Sequence, residues 1–421
     1  MGTAQEETGQ ADPIHVEHQL PKKPGLRVAL VTETYPPEVN GVAATLARVA
    51  DGLRQRGHQL QLVRPRQTRG ETGAGGNAQD SGFAEVLMRG LAIPRYPQLK
   101  MGLPARRALL RLWSTQRPDV VHIVTEGPLG WSALQAARHL RLPVVSDFRT
   151  NFHAYSAHYG VGWLRVPVMA YLRKFHNRTH STMVPTDLLR RELAAAGFER
   201  LRVVARGVDT QRFAPSRRSE ALRAQWGAGR GTLVALCVGR LAAEKNLGVL
   251  LDAAAAMCEQ HTALRLVLVG DGPERARLQQ RCPDAVFSGV RHGDDLAAHY
   301  ASADVFLFPS MTETFGNVVP EAMASGVAVV AYDHAAAGQL IRHGDNGLLA
   351  RLGEASEFCR VARRAGADRA GLREMGARAR HSVMSLDWER IVDAVEVEYA
   401  AAMVAPGLSA ATVWKPALPV V

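Results

Sequence analysis

Apolar runs short enough to be strands alternate with stretches whose apolar residues recur every third or fourth position, and the alternation occurs twice along the chain. In the first half Leu26–Thr34, His58–Pro65, Asp119–Gly127 and Leu142–Phe148 read as strands, with helical patterns over 41–57 and 129–140 between them. The second half restarts with Thr232–Leu241, Leu264–Pro273, Ala285–Val290, Asp304–Ser310 and Val327–Asp333. Continuous apolar strands separated by helices predict βαβ units and parallel sheets covered on both faces. The fold class expected is therefore α/β, with two doubly wound, Rossmann-like domains facing each other across a cleft. A ligand is expected at the carboxyl ends of the strands. Residues 1–25 and 404–421 read as tails, 26–208 and 209–385 as the domains, and 386–403 as a helix packing back on the first. Polar, proline-containing Arg202–Glu220 is the expected hinge, and the Gly- and Gln-rich stretch Gln67–Gly82 a surface loop.

A length of 421 residues accommodates two domains, and 47% hydrophobic with 22% charged residues is a soluble globular composition. No run of 18 apolar residues occurs, which excludes a spanning helix. The N-terminal stretch has no apolar segment of signal-peptide type, and Glu6 stands where a myristoylation motif needs Ser or Thr; a cytoplasmic protein is expected. Cys237, Cys258, Cys282 and Cys359 sit singly in apolar segments without metal-ligand spacing and read as reduced core residues. The net charge of +11 is unevenly spread. Residues 1–21 carry four acids and no Lys or Arg, residues 22–210 carry 28 Lys and Arg against 13 Asp and Glu, and residues 211–421 carry 23 of each. A first half at +15 beside a neutral second half points to an anionic partner for the first domain: nucleic acid, acidic lipid or a phosphorylated substrate. No nucleic-acid recognition motif accompanies the charge.

Candidate chemistry begins with Thr312–Gly326, TETFGNVVPEAMASG, which follows a strand. Proline is tolerated only in the first turn of a helix, so Pro320 places the helix start near Gly316–Asn317. Glu313 is then left in the loop, and Glu321 falls in the second turn. The amides of Gly316 and Asn317 would face an anion or a hydroxyl, and the flanking carboxylates suit a polyhydroxy ligand. Glutamates that merely favour a helix N-terminus are the alternative. Arg240 and Lys245, at the end of another strand, suit a diphosphate, Arg through its fork and Lys as a point charge. A solvated basic loop would look the same. Gly270 and Gly272 in VGDGPE show only a tight turn. Asn40 and Gly41 join the first strand to a helix, where backbone amides could meet a phosphate or form a plain turn. Ser146–Gly160 gathers Arg149, Asn151, His153, Tyr155 and His158 at a strand end, a polar grouping suited to a substrate pocket. The stretches 103–117 and 161–178 interleave apolar and aromatic residues with arginines. They suit an acidic membrane surface, or are ordinary amphipathic helices with a solvated basic face.

Taken together, PPEVNGV, FRTNFHAYSAHYG, RGVDTQRF, GRLAAEKN, LVGDGPE, FSGVRHGDDLAAHYASADVFLFPS and TETFGNVVPEAMASG resemble the retaining nucleotide-sugar glycosyltransferases of family 4. The resemblance runs from about Leu26 to Met403 and implies the GT-B fold, with an acceptor-binding first domain and a donor-binding second domain. It implies that Arg240 and Lys245 hold the donor diphosphate and stabilise it as it leaves. Glu313 would contact the transferred hexose, Phe315, Gly316 and Asn317 would read sugar hydroxyls and phosphate, and Glu321 would bind the nucleotide ribose. Asn40 and Gly41 match a usual glycine pair near the donor phosphates, with Asn40 a departure. Pro320 replaces a usual apolar residue. Relatives usually carry His where this chain has Arg149, so by the resemblance Arg149 or His153 takes that role, or the use of the donor differs. No metal is implied, because Arg and Lys supply the positive charge. FRTNF…Y…HYG and RGVDT resemble most closely the lipid-glycosylating members, such as mannosyl-, glucosyl- and sulfoquinovosyl-diacylglycerol synthases. The implied acceptor is a lipid or other membrane-linked hydroxyl, reached from an anionic membrane surface on the cytoplasmic side. A soluble or polysaccharide acceptor is the near alternative. A dinucleotide-dependent oxidoreductase is the distant one, and it leaves the glutamate pair unexplained.

Overall fold

The computed structural model describes residues 25–38, 40–68, 71, 83–93, 96–149, 165–259 and 263–405. The first half contains β1 (Arg27–Val31), β2 (Gln59–Pro65), β3 (Phe83–Met88), a hairpin of β4 (Gly90–Ile93) and β5 (Tyr96–Gly102), β6 (Val120–Ile123), β7 (Val144–Asp147), β8 (Ser181–Val184) and β9 (Leu201–Val203). Apart from the antiparallel hairpin, these strands form one parallel sheet in the order β3-β2-β1-β6-β7-β8-β9. The second half contains β10 (Leu233–Val238), β11 (Leu264–Val269), β12 (Val286–Gly289), β13 (Val305–Phe308), β14 (Ala328–Tyr332) and β15 (Leu348–Ala350). Its parallel sheet runs β12-β11-β10-β13-β14-β15. Central strands such as β6, β10 and β13 are buried along their whole length, and the edge strands β3 and β12 are half-buried. That is the burial expected of strands with helices on both faces.

Strand order reverses between β1 and β6 in one sheet and between β10 and β13 in the other. The loops leaving these strands part to opposite sides there and open a crevice at each switch point. The chain passes between the sheets at Val208 and again at Leu386, and the two passages are bonded by Val208 N–H to Leu386 O, 2.8 Å. Gly207 packs here against Trp388, where an added Cβ would lie 2.8 Å from the indole. The helix Trp388–Val404 then lies on the first domain. Val392, Val395, Tyr399 and Ala402 join Leu46, Val49 and Leu53 in one core. Arg56 clamps it through Glu389, Asp393 and Glu396, at 2.8, 2.6 and 2.8 Å.

Three expectations change. Cys237 is buried, but Cys258 is exposed at the end of its helix and Cys282 and Cys359 are intermediate, so only the strand cysteine belongs to the core. β3, β8 and β15 join the sheets without having been read as strands, β8 because its Ser181 and Thr182 are polar. Thr182 is paired inside the sheet with Ser146, Oγ1 to Oγ at 3.0 Å, beside His176 and Thr179. Glu321 falls in the first turn of a helix, Val318–Ala324, and not in the second. Among the described residues no helix is long and apolar enough to cross a membrane.

Candidate active site

The loop after β13 and the loop after β10 meet at the second switch point. Lys245 Nζ donates to Glu313 Oε1, and Ser310 Oγ donates to the same oxygen at 2.7 Å. Phe308, the last residue of β13, lies beneath the ammonium, with its ring centroid 5.6 Å from Nζ. Burial raises the Glu313 carboxyl, but the Lys245 charge, the Lys245 and Ser310 hydrogen bonds and nearby His334 outweigh it and hold the group below the usual glutamate range. Glu313 is thus an ionised acceptor in a water-poor crevice, one edge of which a ligand can reach. Arg240 donates to buried Glu244 and keeps 44% of its side chain exposed toward solvent.

Backbone geometry explains the glycine pair. Leu241 N–H donates to Asp271 O and Glu274 N–H to Leu241 O, each at 2.9 Å, so the turn after β11 lies directly against the Arg240 loop. A Cβ on Gly270 would fall 1.9 Å from Gly239 O, which only glycine avoids. Gly316 has φ +87°, the left-handed region that favours glycine, and a Cβ there would make only ordinary contact with Glu313 and Phe308, so the backbone and not the space requires glycine. The Phe315 side chain is core, 2% exposed, so only its backbone is offered to a ligand; its carbonyl accepts from Ala336 N–H at 2.8 Å.

Glu321 accepts from the Tyr300 hydroxyl at 2.9 Å, and burial pushes its carboxyl up to about 7. Asn317 is the N-cap residue of that helix but makes no side-chain cap bond. Its carboxamide reaches the first domain, with Nδ2 donating to Thr45 Oγ1 at 3.3 Å and Oδ1 accepting from Arg206 Nη1 at 3.4 Å. The turn at Asn40 and Gly41 is the counterpart on the first switch point. An added Cβ on Gly41 would stand 3.6 Å from Asn317 Nδ2, so a side chain there would meet the carboxamide. Asn40 Oδ1 accepts from Val42 and Ala43 N–H at 3.1 and 2.9 Å and so caps the helix that Gly41 opens.

Arg149, at the end of β7, donates through Nε to Asp147 Oδ2 at 2.5 Å. Asp147 Oδ2 also lies 3.0 Å from His122 Nε2, and His122 Nδ1 lies 2.8 Å from the Tyr399 hydroxyl. A buried polar chain therefore runs from the C-terminal helix to the Arg149 guanidinium. Burial raises the Asp147 carboxyl, but Arg149 and then His122 pull it well below the usual carboxylate range. His153, with Asn151, Tyr155 and His158, lies outside the described residues.

Sequence reasoning passed over Arg206, His122, Tyr399, Ser310 and His334. The RGVD segment was a usable signal for Arg206, because an arginine directly after a strand faces the same end of the sheet as Arg149. Nothing local marked Tyr399, which is 277 residues from its partner His122. Three buried polar atoms in this region, Arg206 Nη2, Thr312 Oγ1 and His334 Nε2, have no hydrogen-bond partner among the described residues. Buried polar atoms are rarely left so. Unsatisfied donors and acceptors lining a crevice are groups that a polar ligand can satisfy.

Comparison with known proteins follows this geometry. Residues 39–212 match the family model described as Glycosyltransferase Family 4, and residues 232–368 match that of Glycosyl transferases group 1. The chain is 39% identical to a GDP-mannose-dependent alpha-mannosyltransferase of Mycobacterium tuberculosis, over 78% of this chain and 85% of the relative. It is 26% identical to an alpha-monoglucosyldiacylglycerol synthase of Streptococcus pneumoniae, over 73% of this chain and 71% of the relative. Its fold is similar to that of sucrose-phosphate synthase from Thermosynechococcus elongatus, with a TM-score of 0.72, 19% identity, and coverage of 89% of this chain and 98% of that one. The chain belongs to glycosyltransferase family 4, and its two facing parallel-sheet domains are the GT-B fold.

Proposed function

We propose that the protein is a retaining hexosyltransferase that moves a hexose, as GDP-mannose or a related nucleotide sugar, to a lipid hydroxyl to give an α-glycoside. The observation that carries this reading is the Lys245–Glu313 pair over Phe308 at the second switch point. One partly buried cation and one ionised carboxylate are hydrogen-bonded there, set for a phosphate and for sugar hydroxyls. Arg240 and Lys245 take the negative charge that grows on the diphosphate as the glycosidic bond breaks, which is electrostatic stabilisation of a leaving group. Glu313 accepts from hydroxyls of the hexose and orients it, and Gly316 and Asn317 offer backbone donors beside it. Glu321, partly exposed beside Tyr300, accepts from the ribose. Arg149, with His153 nearby in sequence, supplies positive charge on the acceptor side of the transferred sugar. No carboxylate is assigned as a nucleophile. The acceptor hydroxyl attacks from the face that the diphosphate leaves, and positioning supplies much of the rate. With two cations on the diphosphate, a divalent metal is not required.

Thermal-shift titration with GDP, UDP and NAD, repeated in EDTA, tests the reading. A nucleoside diphosphate is expected to raise the melting temperature as much in EDTA as without it, by about 2.7 kcal/mol of stabilisation at a hundred times Kd. Stabilisation by NAD alone overturns the proposal.

A lipid acceptor is supported by the charge of the first domain and by what it exposes. Arg106, Arg107, Arg111, Arg173 and Lys174 are exposed, and Leu91, Met101, Val166 and Tyr171 are exposed apolar groups at 58%, 37%, 77% and 41%. Basic side chains with interleaved apolar ones suit the cytoplasmic face of an anionic bilayer. Flotation with anionic liposomes at low salt is expected to carry the protein, and neutral liposomes or high salt to release it. Equal flotation with both lipids would remove the membrane claim.

A further inference from the structure

Arg206 follows β9 and is only 7% exposed. Its Nη1 reaches Asn317, and its guanidinium lies over the Phe315 ring, 5.6 Å from the centroid. Nη2 has no hydrogen-bond partner, and Arg206 makes no ion pair among the described residues. Arg206 also lines a small cavity of about 20 Å³ together with Thr45, Asp147, Phe148 and Arg149, room for a single water or ligand oxygen.

The charges around it do not balance. Asp147 is paired with Arg149, and Glu313 with Lys245, which leaves Arg206 as the odd cation. Burial and then the like charge of Arg149 push its guanidinium down to about 9, against the weaker pull of Asp147 and Glu313. An uncompensated buried charge costs several kcal/mol unless a partner arrives. The asparagine on Nη1 and the ring beneath hold the guanidinium in place without neutralising it.

We infer that Arg206 Nη2, with Arg149 beside it, is a binding site for a substrate oxyanion: a carboxylate, sulfonate or phosphate oxygen that completes the charge balance when it docks. The site is separate from the Arg240 and Lys245 loop, and the inference rests on the transferase reading for its substrate. Two sources carry the same chemistry. One is the diphosphate of the donor, reached across the cleft beside Asn317. The other is an acidic group on the acceptor or on the transferred hexose. Arg suits the role because its planar fork keeps one nitrogen on Asn317 while the other meets the anion.

The experiment compares the full chain with Arg206→Gln and Arg206→Lys. GDP is titrated first, then sodium sulfate is added to the GDP-saturated protein at constant ionic strength, with melting temperature as the readout. If the anion is an acidic group beyond the donor, GDP binds all three proteins within about twofold. Sulfate then adds a saturable stabilisation to wild type, less to Arg206→Lys and none to Arg206→Gln. If the anion is the donor diphosphate, Arg206→Gln weakens GDP by about tenfold, roughly 1.4 kcal/mol, and sulfate adds nothing to the wild-type complex. Identical GDP and sulfate responses in wild type and Arg206→Gln overturn the inference. Should Arg206→Gln not fold, wild type alone decides against it when sulfate has no saturable effect with or without GDP. A wild type that binds neither GDP nor UDP but keeps the sulfate response defeats the transferase reading and leaves this site standing.

Discussion

Lys245→Ala and Glu313→Gln are each expected to lower kcat by at least about 10²–10³-fold, the cost of removing one group aimed at a developing charge, while the fold persists. The two residues act as a unit. Glu313 is held below the usual glutamate range against its burial largely by Lys245, so removing the ammonium lets the carboxyl rise. Lys245→Ala therefore loses both the cation on the leaving diphosphate and the group that fixes Glu313 Oε1 in place. Glu313→Gln keeps the shape, loses the charge, and leaves a partly buried ammonium without its partner. The double variant is expected to be scarcely worse than either single one, because residues that act together are not additive. Steady-state transfer from GDP-mannose, with circular dichroism to confirm folding, measures all three. Wild-type turnover in both single variants would overturn the site assignment.

Asp147→Asn is expected to destabilise the protein by about 3–5 kcal/mol, the usual cost of breaking a buried ion pair by removing one partner. Asp147 is the one carboxylate within ion-pair distance of Arg149 among the described residues, and it also receives His122. Without it, Arg149 loses its ion-pair partner and faces the like charge of Arg206. The sign of the pH dependence follows from the direction of its shift. A carboxyl held below its unfolded value contributes stability that is fully present above about pH 4 and is lost as pH falls toward the folded value. Wild type is thus expected to lose stability steadily below pH 4, and Asp147→Asn to start lower and lose less over that range. Urea midpoints at pH 7, 4 and 3 provide the comparison. Equal midpoints for the two proteins at pH 7 would refute the assigned pairing.

Much of the donor side was legible in the chain because its chemistry is local. Pro320 fixed the helix start to within two residues, since a proline ring cannot sit deeper in a helix. Arg240 and Lys245 lie one short loop beyond a recognisable strand, so their place at a strand end followed from the βαβ pattern. The acceptor side was much less legible. β8 was hidden because Ser181 and Thr182 are polar, Thr182 bonding its hydroxyl to Ser146 inside the protein, and a polar strand carries no apolar signal. The role of Asn40 as a cap, with its carboxamide over Val42 and Ala43, depends on a rotamer that no sequence pattern specifies.

The sequence by itself determined two parallel α/β sheets, their central strands, the charge asymmetry between the halves and the donor-side pair of cations and glutamates. Each rests on neighbours in the chain: periodicity of burial, proline and glycine stereochemistry, and residue chemistry at strand ends. Only the tertiary structure decided that Lys245 grips Glu313, that Tyr399 reaches Arg149 through His122 and Asp147, and that Arg206 is left as the odd cation beside Asn317. Three of those contacts, Lys245 to Glu313, Arg206 to Asn317 and His122 to Tyr399, join residues 68, 111 and 277 positions apart. Their energies arise from charges brought together out of water, and a one-dimensional pattern does not record which charges the fold will bring together.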